Sequence, residues 1–421
     1  MEGSTNGRRK PLVAALTILG IVVASVVGAQ SSVAAGRGPA ITTFIPNLNA
    51  PRGLAVDGDG SLYVSESGSP GAGPAGLTQT GKVSKYLRGS TNPVWSTGFE
   101  SFYATNDPTQ PPDVLGPEGI GALGKNCTGR GRDDGSARGD DGRRRGDDGK
   151  RNGCQIRLIM SESHDGIAAA SGGQLNATQA GLLFALDGAT GRAAKVSDVG
   201  DQMYKWTGDR KSLFPDDFPD SNPYGVLVTR DRGSEKVRTF VADAGANTIN
   251  EVMADGTLRV IAYIPNETAP PLRDATPTCI AQGPDGMLYV ATLHFVANLF
   301  VFGSGQSDVW RVDPNANYPT VPSVWARGLT TPTACTFDRS GNFWAAEMFQ
   351  PNAAGPPGDV VRIPFRHPDQ LQRIGGGVLP LPGAIVQGAD GAMYVGINSA
   401  NPAPNSGAIM RIQTGDSGGG D

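Results

Sequence analysis

The chain has 421 residues, 38% of them hydrophobic, which is enough to bury a large core. A formal net charge of −4 gives no general attraction to nucleic acid or to an anionic membrane, so both are set aside as partners. Sixty Gly and 32 Pro fall mainly at the punctuation of a repeat, which argues for turns rather than disorder.

The N-terminus reads as an export signal over residues 1–35. Arg8, Arg9 and Lys10 form a basic start, Pro11 to Val27 is apolar and uncharged, and small residues follow. Cleavage fits after Ala29 or Ala35, which predicts a secreted or periplasmic protein with no membrane attachment once the signal is removed. The competing reading is a membrane anchor, because the apolar run approaches the ~18 residues of a spanning helix.

A strand is expected at Ala40–Ile45. From Pro51 onward one phrase returns six times: Pro, a variable residue, a small residue, then an apolar one. The copies begin at Pro51, Pro117, Pro223, Pro277, Pro332 and Pro382. Most lead to an acidic turn and an aromatic–apolar strand, as in VDGDGSLYVSES from Val56 and GPDGMLYVATLH from Gly283. The later copies lie 277−223 = 54, 332−277 = 55 and 382−332 = 50 residues apart. Each unit reads as four short strands, in the first as Gly53–Val56, Ser61–Ser65, Lys82–Leu87 and Pro93–Thr97. Four-stranded units of about this length are blades of a propeller. The fold expected over residues 40–413 is therefore all-β, a six-bladed β-propeller of antiparallel four-stranded blades, followed by a polar tail over 414–421. The last unit supplies only three strands. Placing Ala40–Ile45 beside them as the outer strand closes the ring and removes an open edge.

Two gaps are longer. The second unit holds a Gly/Arg/Asp insert over 128–153 that cannot form a core and reads as disordered. Its Arg-Gly-Asp tripeptides arise readily from such low-complexity text. Cys127 and Cys154 bracket the insert, and a bridge there would close its neck, contributing at most about 3–4 kcal/mol in the chain-entropy model. Cys279 lies two residues after its Pro and Cys335 three. On strands that difference of parity turns them to opposite faces, as adjacent like-oriented units need in order to meet. The expected disulfides are Cys127–Cys154 and Cys279–Cys335, with two separate buried thiols as the alternative for the second pair.

In such a ring the residue after each Pro and the end of each second strand share one face. The inner ring there is Arg52, Glu118, Tyr224, Thr278, Thr333 and Gly383. Its mixture of charge, phenol and hydroxyl suits a small polar ligand or a protein segment. Equally open is an Arg52–Glu118 pair that plugs the channel. A second ring carries Glu66, Glu162, Asp243, Thr292, Glu347 and Ile397. Its carboxylates Glu66, Glu162, Asp243 and Glu347 could converge on a metal ion, with calcium the fitting cofactor. They could instead cap their own turns. Catalytic patterns are weak: no G-x-S-x-G elbow is present, and His164, His294 and His367 are scattered.

APRGLAVDGDGSLYVSESG, SNPYGV, VADAGANTINEV, GPDGMLYVAT and LPGAIVQGADGAMYVGINS resemble the ScyD/ScyE family, exported proteins similar to NHL and SMP-30-type six-bladed propellers. The resemblance runs from about Ile41 to Gln413. It implies an exported propeller and brings no established catalytic mechanism. The insert and Thr292, where the family phrase implies Glu, depart from the pattern. In SMP-30-like lactonases calcium is held by acidic and amide residues around the starts of first strands, where this chain has one carboxylate, Glu118. The sequence thus points to a monomeric binding or scaffold protein. A calcium-dependent hydrolase or lactonase is the alternative, and an adhesion module working through the insert a third reading.

Overall fold

A computed structural model describes residues 39–104, 112–125, 127, 153–213, 219–231, 234, 236–266, 274–301, 303–351 and 357–414. The expected export signal, nearly all of the Gly/Arg/Asp insert and the tail from 415 lie outside the described residues. Six antiparallel sheets form six blades, the expected propeller.

Closure follows the three-plus-one scheme. Ile41–Leu48 pairs antiparallel with Gly407–Ile412, and the sheet continues through Met393–Ile397 to Ala384–Gln387. The strand is longer than the sequence suggested and runs through Pro46. It lies at the edge of its sheet, where a missing N–H is tolerated.

The first blade departs most from expectation. Ala75–Tyr86 and Pro93–Ala104 form a long hairpin, and Asp113–Leu115 adds a fifth strand. The third and fourth strands thus extend well beyond the expected Lys82–Leu87 and Pro93–Thr97. Two helices also escaped the apolar periodicity: α1 (His164–Ala170) and α2 (Val199–Gly208). Ser163 caps α1 by accepting from the Gly166 N–H, and the Asp198 carboxylate caps α2 by accepting from the Asp201 N–H. Their apolar stripes are thin, with Ile167 buried in α1 and Val199 and Met203 in α2.

Six apolar clusters each lie between neighbouring blades. Phe240, Ile249 and Ile261 of the third blade, for example, pack on Ile280, Leu288 and Val290 of the fourth. Each blade thus buries both faces, and the ring is needed to complete every core.

The recurring phrases acquire physical reasons. The turn aspartate accepts backbone N–H groups and then the polar tip of the aromatic on the next strand. Asp57 accepts from the N–H groups of Asp59 and Ser61 and from Tyr63 Oη, at 2.9–3.0 Å. Asp338 does the same for Trp344 Nε1 at 2.8 Å and Asp390 for Tyr394 Oη at 3.1 Å. The small residue two after each Pro meets the neighbouring first strand. A Cβ on Gly53 would lie 2.4 Å from the Glu118 carbonyl, and one on Gly119 2.5 Å from that of Tyr224. In the fourth unit Cys279 holds that position and is bonded to Cys335 of the fifth. Cys127–Cys154 closes the insert's neck as expected. Nearby, the buried Lys85 donates at 2.8 Å to the carbonyls of both Cys127 and Gly188.

Candidate functional site: a funnel at one face of the ring

The first strands begin at one face, and there the chain surrounds a funnel whose empty space, counted with the open solvent at its mouth, is about 680 Å³. The residues just before four of the repeat prolines, Ala50, Thr276, Thr331 and Leu381, have φ between 45° and 50°. A side chain in this left-handed region is strained, so the rim is held in place by its surroundings.

Of the expected inner ring, Arg52, Tyr224, Thr278, Thr333 and Gly383 line the funnel. Arg52, Tyr224, Thr278 and Thr333 also line a second space in the channel below. These four therefore form a partition between the two spaces. Glu118 lies behind Arg52, whose guanidinium donates to it at 2.6 Å, to Asp113 at 3.0 Å and to the Ser399 carbonyl at 3.0 Å. Burial alone would lower the Arg52 pKa. Glu118 and Asp113 outweigh it and hold the guanidinium firmly charged. The charge-paired plug is real, and the funnel stands above it.

Thr278 and Thr333 reach the funnel, but their hydroxyls are committed. Thr278 Oγ1 donates to the Pro332 carbonyl at 2.7 Å and Thr333 Oγ1 to that of Pro382 at 2.8 Å. Ser399 Oγ donates to the Pro51 carbonyl at 2.6 Å and Ser67 Oγ to that of Pro117 at 2.9 Å. These hydroxyls staple four of the six blades to the next. Tyr224 stays close to Glu118 and Arg52, and burial raises its phenol pKa.

The second ring does not gather. Glu66 accepts from the Asn49 N–H at 2.8 Å and pairs with Lys82 at 3.3 Å. Glu347 accepts from the Thr330 N–H at 2.6 Å and binds Arg373. Asp243 accepts from Ser221 Oγ at 2.7 Å and from the N–H groups of Asn222 and Ala246 at 2.9 Å. Each secures the segment leading into its own first strand, which is turn capping. Among the described residues, no three of Glu66, Glu162, Asp243 and Glu347 bring oxygens within 4.8 Å of one another. The four carboxylates therefore stand apart rather than around one point.

Glu162 is in this ring only by sequence spacing. Pro51 stands opposite Glu66, Pro223 opposite Asp243 and Pro332 opposite Glu347, but Pro117 stands opposite Met160. Glu162 comes two residues later, beyond the strand, with φ 61°. Its N–H donates to Asn222 Oδ1 at 3.2 Å. The side chain lines the funnel and is only 5% exposed, yet Oε1 has no hydrogen-bond partner among the described residues. Burial, with Asp220 and Asp243 nearby, pushes its pKa well above the carboxylate range.

The histidines stay outside the funnel's lining. His294 Nδ1 lies 2.6 Å from the Gln306 carbonyl, and His164 Nε2 2.9 Å from Asn176 Oδ1. His164 Nδ1 is 3.5 Å from Asp165 and 3.9 Å from Asp201. Sequence reasoning missed Asp113, Leu115, Leu293 and Met348. Asp113 and Leu115 sit in the approach to Pro117, and Leu293 and Met348 come directly after the second strands that end at Thr292 and Glu347, so their only signal is proximity to a strand end.

No family model and no curated protein matches the chain. Among solved structures, a glucose dehydrogenase aligns over 89% of this chain and 100% of its own, with 11% identity and a TM-score of 0.51. The PQQ-bound aldose sugar dehydrogenase of Streptomyces coelicolor covers 90% and 99% at 12% identity and TM-score 0.44. Virginiamycin B lyase of Staphylococcus aureus covers 89% and 100% at 13% identity and TM-score 0.43. At such identities the likeness concerns the fold alone.

Proposed function

We propose that this is an exported binding propeller of ScyD/ScyE type, monomeric, which takes a small ligand in the funnel above the Arg52–Glu118 plug. The observation that supports it most is the funnel itself. It is a recess at one face of the ring, and residues of all six blades line it, from Arg52 and Glu162 to Tyr224, Leu293, Met348 and Ala400. Its walls carry Leu115, Leu293, Met348 and Ala400, more apolar than the ring of Arg52, Glu118, Tyr224, Thr278 and Thr333 suggests. Two disulfides fit an oxidising compartment, and export to the periplasm or the medium is the reading that accommodates them. The calcium-dependent lactonase alternative loses support, since Glu66, Asp243 and Glu347 spend their oxygens on turns and cations.

The test is a small-molecule thermal-shift screen on the mature protein, repeated on Ala400→Trp, whose indole fills the funnel. Compounds that stabilise the parent and not the variant support the reading. Stabilising compounds that act equally on both proteins place binding elsewhere and overturn it.

A further inference from the structure

Two carboxylates line the funnel, Asp113 and Glu162, while Glu118, whose Oε2 also lacks a hydrogen-bond partner, lies behind Arg52. Asp113 and Glu118 share Arg52, and Asp243 accepts three hydrogen bonds. Arg52 is the only cationic side chain among the described residues lining the funnel, and Glu118, Asp113 and the Ser399 carbonyl occupy it. Glu162 Oε1 remains buried, unpartnered and inside the cavity.

That placement is built. Glu162 takes a left-handed backbone, and Asn222 holds its N–H. Its carbonyl fits between two glycines, Gly181 and Gly200, where an added Cβ at either would approach the oxygen to 2.6 Å. A strained carboxylate held without a partner is expected where a ligand completes it.

From this geometry we infer that the funnel binds a small organic cation, an amine with an apolar body, whose ammonium pairs with Glu162. This rests on the funnel being the binding site. A metal ion fits less well, because it needs several oxygens around one point and no three carboxylates here supply them within 4.8 Å. An ammonium needs one carboxylate and can direct its remaining donors to carbonyls or water. The apolar body would lie on Leu115, Leu293, Met348 and Ala400. Burial makes such a pair strong only if both partners are present, so the site discriminates against neutral molecules of the same shape.

The experiment compares benzylamine with benzyl alcohol by calorimetric titration up to millimolar concentration, on the parent, Glu162→Gln and Ala400→Trp. Near-ultraviolet circular dichroism confirms that each variant is folded. The expected result is an amine preference of at least about tenfold in the parent, lost in Glu162→Gln, with both compounds excluded by Ala400→Trp. Equal binding of amine and alcohol, or a preference that survives Glu162→Gln, overturns the cation assignment. In that case the funnel reading stands if Ala400→Trp still abolishes binding. Failure of both compounds to bind the parent overturns the assignment for amines of this size, and the broader screen then decides the funnel.

Discussion

Glu347 in the fifth blade and Glu162 in the second are both buried acids near the funnel rim, and they do opposite work. Glu347 stands opposite its repeat proline, takes the Thr330 N–H and binds Arg373. Glu162 overshoots that register by two residues and keeps an oxygen without a partner. The approach segment explains the difference. In the second blade it is the short strand Asp113–Leu115, already paired with the first blade's hairpin, and the Gly116 N–H goes to Ser161 Oγ at 3.0 Å. Met160, at the capping position, therefore has no turn to secure. A carboxylate freed from capping can serve a ligand.

The largest effect expected is from Glu347→Ala, which strands the buried Thr330 N–H and takes from Arg373 the nearer of its two acids, leaving Asp359. The loss is about 3–5 kcal/mol, read as a drop in the denaturant midpoint. Met160→Glu sharpens the contrast by placing an acid at the register position that has no turn to cap. It should cost about 3 kcal/mol, and an unchanged midpoint would sink the register argument. Glu66→Ala removes one cap but leaves a Lys82 that already reaches solvent, so about 1–3 kcal/mol is expected in the same assay.

The smallest effect has the opposite sign. The folded-state pKa of Glu162 lies above its unfolded value, so folding takes up a proton between the two. Its stabilising contribution is whole below the ordinary carboxylate range and is lost as pH rises through the raised folded value. Melting temperature should therefore fall from acidic to mildly alkaline buffer in the parent. Glu162→Gln should flatten that slope and be the more stable protein at the alkaline end, by about 1 kcal/mol. Parallel slopes in the two proteins would remove the claim that Glu162 is unpaired.

The architecture was readable because it repeats. Each Asp-Gly turn and each small residue after Pro serves a contact made in blade after blade, and parity alone brought Cys279 to Cys335. The left-over strand at the start announced the closure because the last unit lacked one. The site was harder to read because it lies where the repeat breaks. Counting three residues past an aromatic works for Glu66 and Glu347 but fails in the second blade, where the strand has no aromatic and ends at Met160. Thr278 and Thr333 line the funnel, but no sequence pattern shows that a hydroxyl is already spent on the next blade's proline carbonyl. Compatibility with a channel lining and commitment to a structural bond look alike in one letter.

The closing strand also decides how this protein can be attached to anything else. Ile41 stands beside Ile412, and the Gln413 N–H donates to the Ala40 carbonyl at 2.9 Å. Through Met393 this corner aligns with Gln387, the far end of the strand that begins near Pro382 at the funnel. Both ends of the ring therefore emerge together, on the side away from the funnel mouth. A tether, tag or surface support joined at either point leaves that mouth facing outward and open to solvent.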